Sequence, residues 1–229
     1  MKYEILDAPD FGLLEIQFES PGESVVAESG AMVAMGPNVA ISTGLRGGLF
    51  AAAKRKLMGG ESLFQNTFTA AKAGEKVYLA PAVEGDVRAR QLAPGEVFFL
   101  QSGAYLAHMG SELILDTKWG GVKSFFSGVG FFMLRVVGPG VVFYGSYGAI
   151  HEVDVSTAGY ICDTDHIVGF TAGLSYTVRT FGGFKGLFLS GEGLICDFTG
   201  SGRLYLQTRG APGLAQFLHP FRRVQRRNN

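Results

Sequence analysis

The chain has 229 residues, of which 47% are hydrophobic and 17% charged, a balance that excludes a disordered chain and predicts a substantial core. The formal net charge is zero, but four of the twenty basic residues lie in the last eight positions, which leaves sixteen bases against twenty acids elsewhere. That acidic balance disfavours nucleic-acid binding, because a protein needs a basic surface to replace the counterions.

Cysteine usage and targeting signals indicate the compartment. Cys162 and Cys196 are 34 residues apart, a spacing that fits neither a disulfide framework nor a zinc site and is typical of a reducing compartment. The N-terminal residues MKYEILDAPDFG match neither a signal peptide nor a transit peptide, and no apolar run reaches the roughly 20 residues of a spanning helix. We therefore predict a cytoplasmic protein, with membrane association left open as an alternative.

The first half of the chain alternates between short strand-like runs and turns. A hairpin is predicted from Lys2–Leu6 and Leu13–Phe18, and Pro21-Gly22-Glu23 is predicted to be a turn. Further short strands are predicted in SVVAESGAMVAM, NVAISTGL, ESLFQNTFTA, KVYLAP and DVRARQL. LFAAAKRKLM, which follows Gly47-Gly48, has the alanine and lysine content of a short helix.

The second half begins with an aromatic, glycine-rich stretch, GGVKSFFSGVGFFMLRVVGPG, at residues 120–140. Strands are predicted in VVFYGSYG and HEVDV and in the strongly alternating run GRLYLQTRG. PGLAQFLHPF is predicted to be a short helix before the basic tail.

Short motifs recur along the chain at a common spacing. Pro94-Gly95-Glu96, Ser102-Gly103-Ala104 and Gly120-Gly121 each follow a matching motif by 73 residues, and looser matches follow 62 to 64 residues later at Ala158-Gly159 and Gly182-Gly183. Three matches at one offset predict an internal repeat. We therefore predict a single all-β domain at residues 1–215, with repeats near 21–93, 94–157 and 158–210, and a basic tail at 216–229.

Strands of four to eight residues between glycine turns predict a sandwich or barrel with few, short helices. Glycine contributes 34 residues, roughly twice its usual share, which is consistent with many tight turns. The repeats predict three similar units about a pseudo-threefold axis. Apolar residues at alternating positions are expected to form the core, for example Leu13, Ile16, Phe18, Leu113 and Leu115.

The repeated PGE…SGA…GG pattern, the WGGVKSFFSG block and the ESLFQNTF segment together resemble the AIM-twenty-four-like family of mitochondrial biogenesis proteins, over Met1 to Gly210. The resemblance implies an all-β, TRAP-like fold of the double-stranded β-helix or barrel type, with three similar units and a tendency to form trimers. Fungal members are linked to the organisation of the mitochondrial inner membrane, whereas prokaryotic members have no settled activity. The family offers no accepted catalytic residues, and the arginine-rich end lies outside its pattern.

One acidic cluster has the side chains of a metal site. Asp163, Asp165 and His166 are weak candidate ligands beside Cys162, since a zinc or iron site needs three or four such groups converging at about 2.0–2.3 Å. The His-x-His signature of cupin-like metal enzymes is missing, and Asp-Thr-Asp is also an ordinary turn. A cupin-like metal enzyme is therefore kept only as an alternative, and no cofactor is expected.

Enzyme signatures of other kinds are also missing. The sequence has no G-x-S-x-G, no G-x-x-x-x-G-K-[ST], and no G-x-G-x-x-G between a strand and a long helix. The glycine pairs are interpreted as structural, because glycine permits positive φ and close backbone approach. We therefore predict that the protein is not an enzyme.

Two segments are candidates for contact with other molecules. The aromatic run is interpreted as core, as a subunit interface or as a membrane-facing surface, and its members are Phe125, Phe126, Phe131, Phe132 and Met133. The tail is predicted to touch an anionic surface through Arg222, Arg223, Arg226 and Arg227.

These observations predict a non-enzymatic oligomeric scaffold or interaction protein that lies near a membrane or in the cytoplasm. A homo-oligomer, with a trimer favoured, and peripheral membrane contact are the expected partners. A small-ligand or RNA binding module is the alternative, although the acidic body argues against RNA.

Overall fold

A computed structural model describes residues 1–44, 65–116, 133–180 and 194–222. Within these ranges the chain forms many short strands and one α-helix, α1 (Ala211–Leu218), which confirms the predicted all-β class. The predicted helix at LFAAAKRKLM and all three glycine pairs lie outside the described residues. The strands are β1 (Lys2–Leu6), β2 (Leu13–Gln17), β3 (Ser24–Glu28), β4 (Met32–Met35), β5 (Val39–Gly44), β6 (Gln65–Ala70), β7 (Lys76–Leu79), β8 (Val87–Leu92), β9 (Val97–Gln101), β10 (Tyr105–Met109), β11 (Ile114–Asp116), β12 (Met133–Val137), β13 (Gly140–Gly145), β14 (Ile150–Val155), β15 (Tyr160–Asp163), β16 (Ile167–Thr171), β17 (Leu174–Thr180), β18 (Leu194–Gly200) and β19 (Gly202–Gln207).

These strands form four antiparallel sheets. The first has the order β1-β2-β7-β4, the second β5-β6-β3-β10-β13-β8, the third β11-β12-β9-β16-β19-β14, and the fourth β15-β18-β17. The described strands leave free edges in every sheet, so they form a layered structure and not a closed barrel.

Three hydrophobic clusters separate the four sheets. The first cluster joins the first and second sheets, the second joins the second and third, and the third joins the third and fourth. Successive residues of β13 illustrate the arrangement, because Phe143 belongs to the first cluster and Tyr144 to the second. A strand that is buried on both faces needs a nearly continuous apolar sequence, which explains the runs VFFL and VVFY.

The core confirms most of the predicted positions and corrects one. Ile16, Phe18, Leu113 and Leu115 are buried, but Leu13 is only half-buried and Leu14 takes its place in the first cluster. Because side chains alternate between the faces of a strand, Leu13 and Ile16 cannot share a face, whereas residues 14, 16 and 18 can.

The glycines of the matched Pro-Gly and Ala-Gly motifs share one backbone conformation. Gly22, Gly95 and Gly159 have φ values of +84°, +76° and +79°, in the region where glycine is favoured over residues with a side chain. Glu23 and Glu96 follow the first two of these turns, and their carboxylates accept backbone N–H groups of Glu19 and Ala93. The motif PGE is therefore a glycine turn closed by a carboxylate.

Both six-stranded sheets are divided in the same way. In the second sheet, the group β5-β6-β3 meets the group β10-β13-β8 through pairing of β3 with β10. In the third sheet, β11-β12-β9 meets β16-β19-β14 through pairing of β9 with β16. Each large sheet thus combines three strands from an earlier segment with three from a later segment.

Candidate functional site

The predicted metal-ligand candidates serve hydrogen bonds within the fold. Asp163 Oδ1 accepts the backbone N–H of Asp165 at 2.7 Å and caps a short 3-10 turn, Thr164–His166. Nδ1 of His166 lies 2.7 Å from the carbonyl oxygen of Gln207, and Gln207 Nε2 donates to the carbonyl of Asp165 at 2.8 Å. The side chains of His166 and Gln207 therefore tie the turn before β16 to the end of β19, whereas Asp163 bonds within the turn and Asp165 takes part through its backbone. In the described part of the chain, no three histidine, cysteine, aspartate or glutamate side chains gather as a metal would require.

Burial changes the acidity of one member of this turn. Partial burial and the neighbouring charge of Asp163 raise the pKa of the Asp165 carboxyl above its ordinary value. The adjacent thiols are affected more strongly. Cys162 and Cys196 lie directly opposite each other on β15 and β18, and burial raises the pKa of each to about 12. Neither thiol is therefore suited to act as a nucleophile at neutral pH.

A cleft of about 390 Å³ adjoins this turn. Its walls come from distant parts of the sequence, including Glu28, Gln101, Gly103, Tyr147 and Asp165. Its volume falls within the range of about 300–1,000 Å³ that is typical of small-molecule sites. The cleft is the described feature that best fits the small-ligand alternative.

Three arginines of β8 and β19 are engaged with acids. Arg88 contacts Asp86 at 2.7 Å and Glu152 at 2.5 Å, and Arg203 contacts Glu152 at 3.2 Å. Arg90 contacts Glu96 at 2.8 Å. Since these guanidinium groups are neutralised within the chain, this face does not resemble a surface for RNA phosphates.

The residues predicted for interface or membrane contact fall into two groups. Met133 is only 2% exposed and belongs to the third cluster, so it is part of the core and not a contact surface of the single chain. Phe125, Phe126, Phe131 and Phe132 lie outside the described residues. Of the four arginines of the tail, Arg222 is exposed, whereas Arg223, Arg226 and Arg227 lie outside the described residues.

Two strands that the sequence interpretation did not single out expose apolar side chains at sheet edges. On β4, the side chains of Met32, Val33 and Met35 are 41%, 57% and 39% exposed. On β15, those of Tyr160 and Ile161 are 38% and 57% exposed. Among the described strands, β4 pairs only with β7 and β15 only with β18. The sequence did not mark β4 as an edge, because MVAM carries neither the charges nor the proline that edge strands usually have.

The C-terminal helix also exposes apolar side chains. The helix α1 was predicted, but its exposure was not: none of its residues is buried, and Phe217 is 67% exposed. Within the described ranges, no helix has both the length and the apolar character needed to cross a bilayer.

Comparisons with known proteins place this geometry in context. A family model described as "Mitochondrial biogenesis AIM24" matches residues 3–209. An uncharacterized protein of Streptococcus pyogenes serotype M6 is 31% identical over 215 residues, which cover 91% of this chain and 86% of that protein. The crystal structure of the protein SPYM3_0169 from Streptococcus pyogenes is similar with a TM-score of 0.79 and 28% identity, over 96% of this chain and 99% of that one.

Proposed function

The chain belongs to the AIM24 mitochondrial biogenesis family, and from this premise we propose that it is a non-enzymatic scaffold whose copies join through β4 and β15. The observation that carries the proposal is that, among the described strands, the first and fourth sheets each lack one of the two three-strand groups found in the six-stranded sheets. The fourth sheet, β17-β18-β15, is arranged like the earlier groups β5-β6-β3 and β11-β12-β9. The strands β4-β7-β2 of the first sheet are arranged like the later groups β10-β13-β8 and β16-β19-β14.

Sequence position supports assigning β4 and β15 to these roles. β10 begins directly after Ser102-Gly103-Ala104, and β4 begins directly after the matching Ser29-Gly30-Ala31, 73 residues earlier. Likewise, β9 ends at the 3-10 turn Ser102–Ala104, and β15 ends at the 3-10 turn Thr164–His166. β4 is therefore the counterpart of β10 and β16, and β15 is the counterpart of β3 and β9.

The pairings inside each segment support a threefold repeat. β8 and β10 flank β13, as β14 and β16 flank β19 and as β2 and β4 flank β7. β9 and β11 flank β12, as β15 and β17 flank β18 and as β3 and β5 flank β6. We therefore treat the chain as three copies of one unit. Two joins lie inside the chain, between β3 and β10 and between β9 and β16, and the third joins β15 of one chain to β4 of the next.

Burial supports the same assignment. Four of the five residues of β10 and of β16 are buried, whereas all four residues of β4 are exposed. A row of unpaired backbone groups flanked by apolar side chains is a template for pairing with another chain. Pairing β15 with β4 of a second copy would place Met32, Val33 and Ile161 in the kind of environment that their counterparts already occupy.

The join is heterologous, because it uses two different surfaces of the same chain. Such a contact builds a closed ring when the rotation between copies closes, and an open filament when it does not. We expect a closed ring, and the family resemblance favours three chains.

Light scattering coupled to size-exclusion chromatography tests the proposal. Wild-type protein is expected to elute with the mass of a closed oligomer, and Val33→Lys and Ile161→Lys are expected to shift it toward the monomer. Ile114→Lys is the matched control, because Ile114 is 55% exposed and also lies on an edge strand, β11, but takes no part in the proposed join. A wild-type monomer at high concentration would refute self-association.

Small-ligand binding is the second candidate, and the cleft beside Asp165 favours it. A metabolite collection screened by thermal shift is expected to contain compounds that stabilise wild-type protein but not Gly103→Arg, whose side chain would enter the cleft. Equal shifts in both proteins would exclude the cleft as the binding site.

A further inference from the structure

The helix α1 and the 3-10 turn that follows it carry a continuous apolar stripe. Leu214, Phe217, Leu218 and Phe221 stand at positions i, i+3, i+4 and i+7, a spacing that places them on one face of a helix. Their side chains are 37%, 67%, 51% and 74% exposed. The rings of Phe217 and Phe221 lie 5.8 Å apart, so the two aromatic groups form one surface.

This stripe does not contribute to the three hydrophobic clusters. None of the residues of α1 or of the turn His219–Phe221 is buried. A helix on the surface of a globular protein normally turns its apolar face toward the core, whereas here that face is open to solvent. The stripe therefore leaves a continuous apolar area exposed on the described structure.

The sequence that flanks the stripe carries charges of one sign. Residues 204–229 contain no aspartate or glutamate and five arginines, which are Arg209, Arg222, Arg223, Arg226 and Arg227. Arg222 is exposed and directly follows Phe221. An apolar helical face followed in sequence by bases and no acids is typical of segments that lie in the interface of an anionic bilayer, where the bases meet lipid phosphates.

We propose that the stripe from Leu214 to Phe221 docks this protein on the surface of a bilayer that contains anionic lipid. The side chains of Phe217 and Phe221 enter the boundary between headgroups and acyl chains, and Arg222 lies among the headgroups. The helix lies on the membrane and does not cross it, since α1 has only eight residues. The site is new relative to the proposed self-association, because it uses neither β4 nor β15.

Vesicle flotation tests the docking. Wild-type protein is expected to float with vesicles made from equal parts of phosphatidylcholine and phosphatidylglycerol, and to remain behind with pure phosphatidylcholine or at high salt. Phe217→Asp is expected to weaken binding about tenfold or more, because it removes apolar area from the stripe and adds a negative charge. Gln216→Asp is the matched control, since it makes the same charge change on the opposite face of the exposed helix and is expected to retain most of the binding.

A fluorescence measurement reports the position of the stripe directly. The single tryptophan of the chain, Trp119, is replaced by phenylalanine, and Phe217→Trp is introduced in that background. Anionic vesicles are expected to shift its emission to shorter wavelength, because the indole leaves water. Absence of binding to anionic vesicles, equal losses in Phe217→Asp and Gln216→Asp, or equal binding to pure phosphatidylcholine would each overturn the proposal. So would a change of oligomer mass in Phe217→Asp without vesicles, which would assign the stripe to a contact between proteins.

Discussion

The hydroxyl oxygen of Tyr105 lies 2.7 Å from Nδ1 of His108, and both side chains are buried at the junction where β3 meets β10. Gln65 Nε2 donates to the same hydroxyl at 3.2 Å, and that hydroxyl lies 3.3 Å from the carbonyl oxygen of Val26. A buried polar network of this kind fixes the register of the join, because a slip of one residue would separate the partners.

Removing the hydroxyl at this junction is expected to lower stability. Tyr105→Phe keeps the ring but takes one hydrogen-bond partner from each of His108 and Gln65, at a cost of about 1–3 kcal/mol in the free energy of unfolding. Urea denaturation measures the change. Tyr3→Phe, at a side chain that is 44% exposed, is the control and is expected to change stability by less than about 0.5 kcal/mol. Equal effects of the two substitutions would contradict the structural role of the network.

The third hydrophobic cluster is expected to depend on Phe170. This side chain is fully buried, and its ring lies 4.9 Å from that of Phe99 and 5.2 Å from that of Phe198. Phe170→Ala leaves a cavity between the third and fourth sheets and is expected to cost about 3–5 kcal/mol. Phe217→Ala, at the exposed helix, is the comparison and is expected to have little effect on the same denaturation curve.

Glu96 is expected to contribute to stability only above acidic pH. The backbone N–H of Ala93 lowers the pKa of this carboxyl, and the guanidinium of Arg90 lowers it further, against the opposing effect of partial burial. A carboxyl whose pKa is lower in the folded state stabilises the fold above the unfolded value of about 4.3, and this contribution is lost as the pH falls through the folded value. Glu96→Gln is therefore expected to flatten the decline of stability between about pH 5 and pH 3.

Urea midpoints across this pH range measure the effect. Glu112→Gln, a matched substitution in an exposed turn, controls for the loss of one carboxylate. The same flattening in both variants would show that the hydrogen bonds of Glu96 are not its cause.

The two thiols are expected to react slowly in the folded protein. Burial raises the pKa of Cys162 and Cys196 to about 12, so each is almost wholly protonated at pH 8, whereas about a quarter of an unperturbed thiol is thiolate. Reaction with a chromogenic disulfide reagent is therefore expected to be at least about tenfold slower before unfolding than after it. Immediate reaction of both thiols in the native protein would contradict the burial of Cys196 and the half-burial of Cys162.

Local pattern predicted much of this fold. The hairpin of β1 and β2, the glycine turns and the position of α1 all follow from residues that are close in sequence, and all were predicted. The error at Leu13 arose because the alternation was assigned one residue out of step. Successive side chains of a strand point to opposite faces, so a shift of one residue moves a side chain from the core to the other face.

The sequence did not predict which distant strands pair with each other. Nothing local says that β3 meets β10 or that Cys162 faces Cys196, because these contacts depend on how whole segments stack. The exposure of β4, β15 and α1 is likewise a property of the assembled sheets, since MVAM and YIC read as ordinary core strands. Asp163 and His166, which the sequence offered only as weak metal-ligand candidates, hold a turn in place.

A mixing experiment tests the central claim most directly, namely that copies join by pairing β15 of one chain with β4 of the next. Val33→Lys protein keeps an intact β15, and Ile161→Lys protein keeps an intact β4, so each alone is expected to be a monomer. When the two are mixed in equal amounts, light scattering is expected to show a one-to-one dimer and nothing larger. Only one pairing remains possible, between β15 of the Val33→Lys protein and β4 of the Ile161→Lys protein. A mixture that stays monomeric, or either variant assembling alone to the wild-type mass, would contradict the account.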